Sequence, residues 1–158
     1  MRSSDRSRSS FANISATVVR NYADLPREPL FPFGHGLSYT TFAVENVKVT
    51  PESIGRAGQA EVSAEVVNTG ARAGDEVVQL YIHQRVASVT RPVKALRGFE
   101  RVRLEPGQRR TVRFTLGPDQ LALVDRNLKW TVEAGTFDVM VGGSPTDLKA
   151  ATLEVVAR

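Results

Sequence analysis

Apolar and polar residues alternate with a period of two along most of the chain after residue 41. Residues 60–66 show it most clearly, because alanine or valine at each even position is separated by glutamate or serine. Such alternation is typical of a half-buried β-strand. Residues 42–49 alternate in the same way, with a phase slip between Val44 and Val47 that predicts a β-bulge.

Residues 76–83 form a nearly continuous apolar run that is rich in β-branched and aromatic side chains. Such a run predicts a central strand of a sandwich. If Val78, Leu80 and Ile82 point one way, then Val77, Gln79, Tyr81 and His83 point the other. The pattern does not decide which side faces the core.

Turn residues separate these segments. Residues 51–58 read as a turn and residues 87–92 as a loop, and Asn68-Thr69-Gly70 should end a strand because asparagine and glycine tolerate left-handed geometry. The Pro-Gly pair in residues 105–108 predicts a turn that pairs residues 94–104 with residues 111–116 as a hairpin.

Shorter elements follow. Residues 117–122 can form one helical turn, and residues 121–125 and 128–132 predict two short strands, with Trp130 packed in the core or at its edge. Residues 136–141 predict a strand with Phe137, Val139 and Val141 on one face, and a last strand near residues 153–156 should complete a sheet edge. Seven or so short strands without a long helical period predict an all-β fold, an antiparallel immunoglobulin-like β-sandwich.

The first 41 residues differ from the rest. Residues 1–27 are polar and rich in serine and arginine, and we expect this leader to be largely disordered. Residues 28–41 are a connector that we call the strap, in which proline favours an extended chain and glycine permits a bend. We therefore expect an irregular N-terminal extension before a sandwich over residues 42–158.

The strap and six later blocks carry a resemblance to a known family. The strap contains Pro-Leu-Phe-Pro-Phe-Gly-His-Gly-Leu-Ser-Tyr-Thr-Thr, and the later blocks run in the family's order. They are residues 68–70, 73–81, 88–94, 96–99, 104–107 and 135–142. Together they resemble the connector and C-terminal fibronectin type III-like domain of family-three glycoside hydrolases, the β-glucosidase and β-xylosidase type.

The resemblance implies a non-catalytic structural module, a truncated or split C-terminal piece of such an enzyme. In the family the catalytic groups lie in a barrel and an α/β domain, for which this chain has no room. The partners implied are those domains, in cis in a longer chain or in trans. The strap residues expected to form the docking interface are Phe31, Pro32, Phe33, His35, Leu37 and Tyr39.

Composition narrows the alternatives. The chain has 158 residues and a net charge of +4, but its clustered arginines alternate with apolar residues, which favours a solvated strand face over a nucleic-acid patch. No apolar run is long enough for a membrane span. No signal peptide is recognisable, so we expect a cytoplasmic location if the chain is expressed as given. The absence of cysteine excludes disulfides.

The sequence offers little chemistry. His35 and His83 are far apart and have no acidic or histidine neighbour at ligand spacing, so we expect neither a metal nor a cofactor. The carboxylates lie at turns or on strand faces, and the aspartate–tryptophan nucleophile motif of the family has no counterpart. We expect no catalysis by this chain alone.

Two alternatives stay open beside the structural module. One is a stand-alone carbohydrate-binding module, which would need a platform of exposed aromatic side chains, whereas the aromatic residues outside the strap fit core positions better. The other is a non-functional remnant that has lost its partner.

Overall fold

The structure, a computed structural model, describes residue 36 and residues 38–157. It contains ten strands and one helical turn within that part of the chain. These are β1 (Phe42–Thr50), β2 (Ser53–Gly55), β3 (Ala60–Asn68), β4 (Gly74–Gln84), β5 (Ala95–Leu104), β6 (Arg109–Leu116), α1 (Pro118–Leu121), β7 (Leu123–Val124), β8 (Trp130–Thr131), β9 (Gly135–Ser144) and β10 (Asp147–Val156).

Two sheets face each other and form a sandwich. The three-stranded sheet has the order β1-β3-β6, and the five-stranded sheet has the order β2-β10-β9-β4-β5. Neighbouring strands are antiparallel except β2 and β10, which are parallel. A separate hairpin of β7 and β8 lies outside both sheets. The predicted all-β sandwich is confirmed.

The core lies between the two sheets and is built by the alternation read from the sequence. In β3 the residues at positions 60, 62, 64 and 66 are at most 2% exposed. Phe137, Val139 and Val141 of β9 share one face, as predicted, and that face is fully buried. The phase slip in β1 is a bulge between Glu45 and Lys48, and Asn46 at the bulge has a φ of 52°.

The central strand β4 pairs with both β5 and β9, as expected for the apolar run. The sequence pattern left open which side of β4 faces the core. Val78, Leu80 and Ile82 are at most 1% exposed and belong to the core, so their side faces inward. A Cβ at Gly98 of β5 would lie 3.2 Å from the ring of Phe114, so this glycine lets the second sheet pack closely.

Two predictions about connections are wrong. Strands β5 and β6 do not form a hairpin, since β5 pairs with β4 and β6 pairs with β3 in the opposite sheet. The Pro-Gly turn, with Gly107 at a φ of 72°, carries the chain from one sheet to the other. Residues 51–58 are not only a turn, because β2 within them pairs with β10 and buries Ile54.

Trp130 contradicts its predicted place. Its side chain is 74% exposed, on the outside of the β7–β8 hairpin, where it stands opposite Val124. Leu123 faces inward instead and supplies the buried apolar contact of the hairpin. The prediction from the size of the tryptophan side chain is therefore wrong, because a hairpin of two-residue strands buries only the side chains on one of its two faces.

Candidate docking surfaces

Most of the predicted docking residues lie outside the described part of the chain. This holds for Phe31, Pro32, Phe33, His35 and Leu37. Tyr39 is described, and it is 91% exposed just before β1. The structure therefore presents one of the six side chains to solvent, and docking by the others stays a prediction.

The described end of the strap is held against the sandwich at Thr40. The Thr40 hydroxyl donates to the side-chain oxygen of Asn68 at 2.7 Å. A Cβ at Gly70 would lie 2.2 Å from Thr40 Oγ1, and one at Gly74 would lie 2.6 Å from Thr40 Cγ2. The two glycines of the sequence blocks at 68–70 and 73–81 thus make room for this residue.

Asn68 joins three parts of the fold through its side chain. Besides accepting from Thr40, its oxygen accepts from the backbone N–H of Gly70 at 3.0 Å. Its amide nitrogen donates to the carbonyl oxygens of Arg72 at 2.7 Å and Leu104 at 3.0 Å. The expected left-handed geometry is wrong, since neither Asn68 nor Gly70 is among the described residues with positive φ. Asn68 ends the strand by its hydrogen bonds.

A groove of about 500 Å³ lies beside Thr40, and we call it the Thr40 groove. Residues of the strap end, β1, β4 and the β9–β10 turn line it, among them Gly36, Phe42, Glu76 and Val77. Burial raises the pKa of the half-buried Glu76 carboxyl. Asp75 differs, because a hydrogen bond from Arg101 lowers its pKa. The groove is part apolar and part acidic.

The opposite end of the sandwich carries a polar network around the loop at 87–92. Glu133 accepts from the hydroxyl and the backbone N–H of Ser88, and these bonds lower the pKa of its carboxyl. Arg91 donates to Gln84 at 2.6 Å and to the carbonyl oxygen of Leu121 at 3.3 Å, and its guanidinium lies 5.9 Å from the ring centre of Phe137. The network fastens the loop to α1.

These carboxylates do not have the properties of a glycosidase pair. A general acid needs a raised pKa next to a second, ionised carboxylate. Asp125 and Glu133 line one polar groove, but the pKa of Asp125 is lowered by the backbone N–H of Lys129, as that of Glu133 is by Ser88. Both carboxylates are held ionised, so neither is suited to donate a proton to a leaving group.

Residues 36 and 38–157 contain neither a metal-binding cluster nor a membrane-spanning helix. No cluster of three or more histidine or acidic side chains with metal-binding geometry occurs there. His83 is half-buried on β4, as expected for a strand residue, and no second histidine or carboxylate joins it in such a cluster. None of the helices in this part has the length and hydrophobicity to cross a bilayer.

The arginines lie on solvated strand faces, as predicted, although not on a hairpin. Arg101 pairs with Asp75 at 2.7 Å on the five-stranded sheet, and Arg113 pairs with Glu61 at 3.5 Å on the other sheet. Arg109 lies 3.3 Å from Glu45. Because acidic partners on neighbouring strands offset these charges, they form no continuous basic stripe of the kind that tracks a phosphate backbone.

Exposed aromatic side chains are the feature that sequence reasoning missed. The expectation that aromatic residues outside the strap occupy core positions is wrong for Phe99 and Trp130, which are 70% and 74% exposed. Phe99 follows Gly98, whose side of β5 faces the core, so the strand alternation places Phe99 outward. The inward neighbours Val102 and Leu104 could have indicated this phase.

Comparisons with known proteins agree with this architecture. Residues 76–145 match the family model described as a fibronectin type III-like domain. A β-xylosidase of Formosa agariphila is 50% identical over 131 residues, which are 82% of this chain and 18% of the relative.

Solved structures give the same answer. A β-glucosidase of Erythrobacter marinus is 44% identical with a TM-score of 0.82, over 87% of this chain and 18% of that one. A GH3 β-glucosidase of Bifidobacterium adolescentis is 38% identical with a TM-score of 0.72, over 78% of this chain and 18% of that one. The chain thus spans less than a fifth of the length of these relatives.

Proposed function

This chain belongs to the fibronectin type III-like domains of family-three glycoside hydrolases, and we propose that it buttresses the catalytic domains of such an enzyme without taking part in the chemistry. One observation carries the proposal. The match covers 87% of this chain but only 18% of the Erythrobacter marinus β-glucosidase, and it is a match to the accessory portion and not to the catalytic domains.

The contacts within the described domain favour a supporting role. The side chains of the described domain are used to hold strands and loops together, as the hydrogen bonds of Asn68 and Arg91 illustrate. In the polar groove Asp125 and Glu133 are held ionised by hydrogen bonds, and in the Thr40 groove Asp75 is engaged by a hydrogen bond from Arg101. A rigid sandwich with exposed apolar side chains is suited to stabilising a neighbour through contact area.

A replacement in the Erythrobacter marinus β-glucosidase tests the proposal. The matching portion of that enzyme is deleted in one variant and replaced by this chain in another. We expect the chimera to be soluble and to keep its β-glucosidase activity after a heat challenge that inactivates the deletion variant. A chimera no more stable than the deletion variant, although the isolated chain is folded, would contradict a buttressing role.

We further propose that the strap takes part in the docking, in cis or in trans. The exposed Tyr39 supports this, together with the resemblance of residues 28–41 to the family connector. Phe33→Ser should make the isolated chain more soluble and abolish its association with catalytic domains supplied separately. Equal solubility and undiminished association of the Phe33→Ser chain would contradict the proposed role of the strap.

A sugar-binding module is the second candidate, and the exposed Trp130 favours it. Thr131 lines the polar groove that holds Asp125 and Glu133, whereas Trp130, the next residue along the strand, points to the other side of the hairpin. The Trp130 ring and the carboxylates of the groove thus lie on different sides of the hairpin and do not face the same ligand. Titration calorimetry with cello-oligosaccharides decides, since saturable heat that is lost in Trp130→Ala would support this candidate.

A further inference from the structure

The outer face of the five-stranded sheet has an apolar centre. We use this name for the side that points away from the core, and the strand register defines its members. At its centre lie Val77, Gln79 and Tyr81 of β4, Leu96 and Phe99 of β5, Met140 of β9 and Leu148 of β10, and the same register places Asp75, Arg101, Arg103 and Asp138 towards its ends. A sheet with apolar side chains on both sides needs cover on both sides.

Part of this face is already closed to water. Gln79 and Tyr81 are only 5% and 4% exposed, although they point away from the core. The Tyr81 hydroxyl donates to the side-chain oxygen of Gln79, and the Gln79 amide donates to the carbonyl oxygen of Gly143 at 2.9 Å. These two polar groups are satisfied inside the outer face, which therefore has the composition of a second, thinner core.

The rest of the face is open. Phe99 is 70% exposed, Val77 41% and Leu96 39%. Phe99 stands directly opposite Gln79, and Leu96 stands opposite Tyr81, so these side chains border the buried polar pair. A contiguous group of large apolar side chains at the surface indicates a contact surface.

The position of the face relates it to the preceding part of an enzyme. Val77 belongs to the outer face and also lines the Thr40 groove, together with Gly36 at the beginning of the described chain. The described chain therefore begins at Gly36 beside this face, and the residues that precede Gly36 in sequence lead up to it. In a C-terminal domain those residues connect it to the catalytic portion, which must lie within their reach.

We propose that the outer face docks on the catalytic portion of the same family-three hydrolase, with Phe99 as the central anchor. The proposal rests on the proposed function and specifies its contact surface. Arg101 and Arg103 share this face with Phe99, because they follow it at alternate positions on β5. Because Arg101 is already paired with Asp75 at 2.7 Å, the complementary surface is defined by its apolar centre.

The chimeric Erythrobacter marinus enzyme tests this contact with a matched pair of variants. Phe99→Glu places a charge on the outer face, and Trp130→Glu places one at a similarly exposed aromatic residue on the β7–β8 hairpin. We expect Phe99→Glu to shorten the half-life of activity under heat challenge at least about tenfold, as for a buried interface aromatic. Trp130→Glu should leave the half-life within about twofold.

The outcomes separate this inference from the proposed function. A stable chimera in which both variants behave alike would overturn the outer face as the contact while leaving the buttress intact. Melting curves of the isolated chain are the folding control, and Phe99→Glu should melt with the unchanged chain. A lowered melting temperature would show that a segment of this chain covers the face. A dimer of the isolated chain that Phe99→Glu dissociates would assign the face to a second copy. Either result would overturn the proposal.

Discussion

The two sides of β4 are almost equally apolar in sequence but differ in what covers them. Val78, Leu80 and Ile82 are buried against the three-stranded sheet. On the other side, Tyr81 and Gln79 are buried, whereas Val77 is 41% exposed beside the exposed Phe99. The inner side therefore has its full cover within the domain, and the outer side is covered only in part by the described residues. The proposed docking on the catalytic portion would complete the cover of the outer side.

Truncation of one side chain on each side should show the largest contrast. Leu80→Ala leaves a cavity between the sheets, and we expect it to lower the free energy of unfolding by about 3 kcal/mol. Val77→Ala, the control on the outer side, should cost under about 1 kcal/mol because its side chain is partly solvated. Urea unfolding of the isolated chain measures both. Equal losses would contradict the assignment of the inner and outer sides.

The buried polar pair on the outer side gives the next effect. Tyr81→Phe removes the hydroxyl that donates to Gln79 and leaves the buried amide oxygen without that partner. We expect a loss of about 1 kcal/mol in the free energy of unfolding. Urea unfolding compares the variant with Tyr39→Phe, whose ring is exposed. A loss no greater than that of Tyr39→Phe would mean that water reaches the pair.

Glu76 tests the Thr40 groove, which Val77 of the outer side also lines. Its pKa is raised by burial, so the folded state binds the proton more tightly than the unfolded state. Stability from this group is therefore lost as the pH rises from the ordinary glutamate pKa through the raised folded value.

Glu76→Gln removes the charge and should stabilise the chain at pH 7. Because the carboxyl is half-exposed and screened, we expect a gain under about 1 kcal/mol. The gain should vanish below the ordinary glutamate pKa, which unfolding at pH 7 and at acidic pH can check. The same gain at both pH values would show that the effect has another origin.

Phe99→Glu should have the smallest effect on the isolated chain. Its ring is exposed, so its replacement should change the free energy of unfolding by no more than about 0.5 kcal/mol. The same variant is expected to impair the chimeric enzyme. Because the isolated chain stays stable, that impairment cannot be due to unfolding of the domain. A large loss in the isolated chain would place Phe99 in an intramolecular contact.

Sequence reasoning predicted the sandwich and most of its strands, because period-two alternation directly reflects burial on one side. It could not assign the sides of β4, since both carry apolar residues and the deciding partners are distant in sequence. The β5–β6 connection was misread because a Pro-Gly turn is equally compatible with a hairpin and with a crossing between sheets. The role of Asn68 was missed because its four side-chain hydrogen bonds reach residues from Thr40 to Leu104.

Hydroxyl-radical footprinting of Phe99 and Trp130 is the most direct test of the account. The modification of each residue is compared between the isolated chain and the chimeric Erythrobacter marinus enzyme. The account predicts that Phe99 is modified in the isolated chain and strongly protected in the chimera, while Trp130 is modified in both. Equal modification of Phe99 in the two proteins would contradict docking through the outer face of the five-stranded sheet.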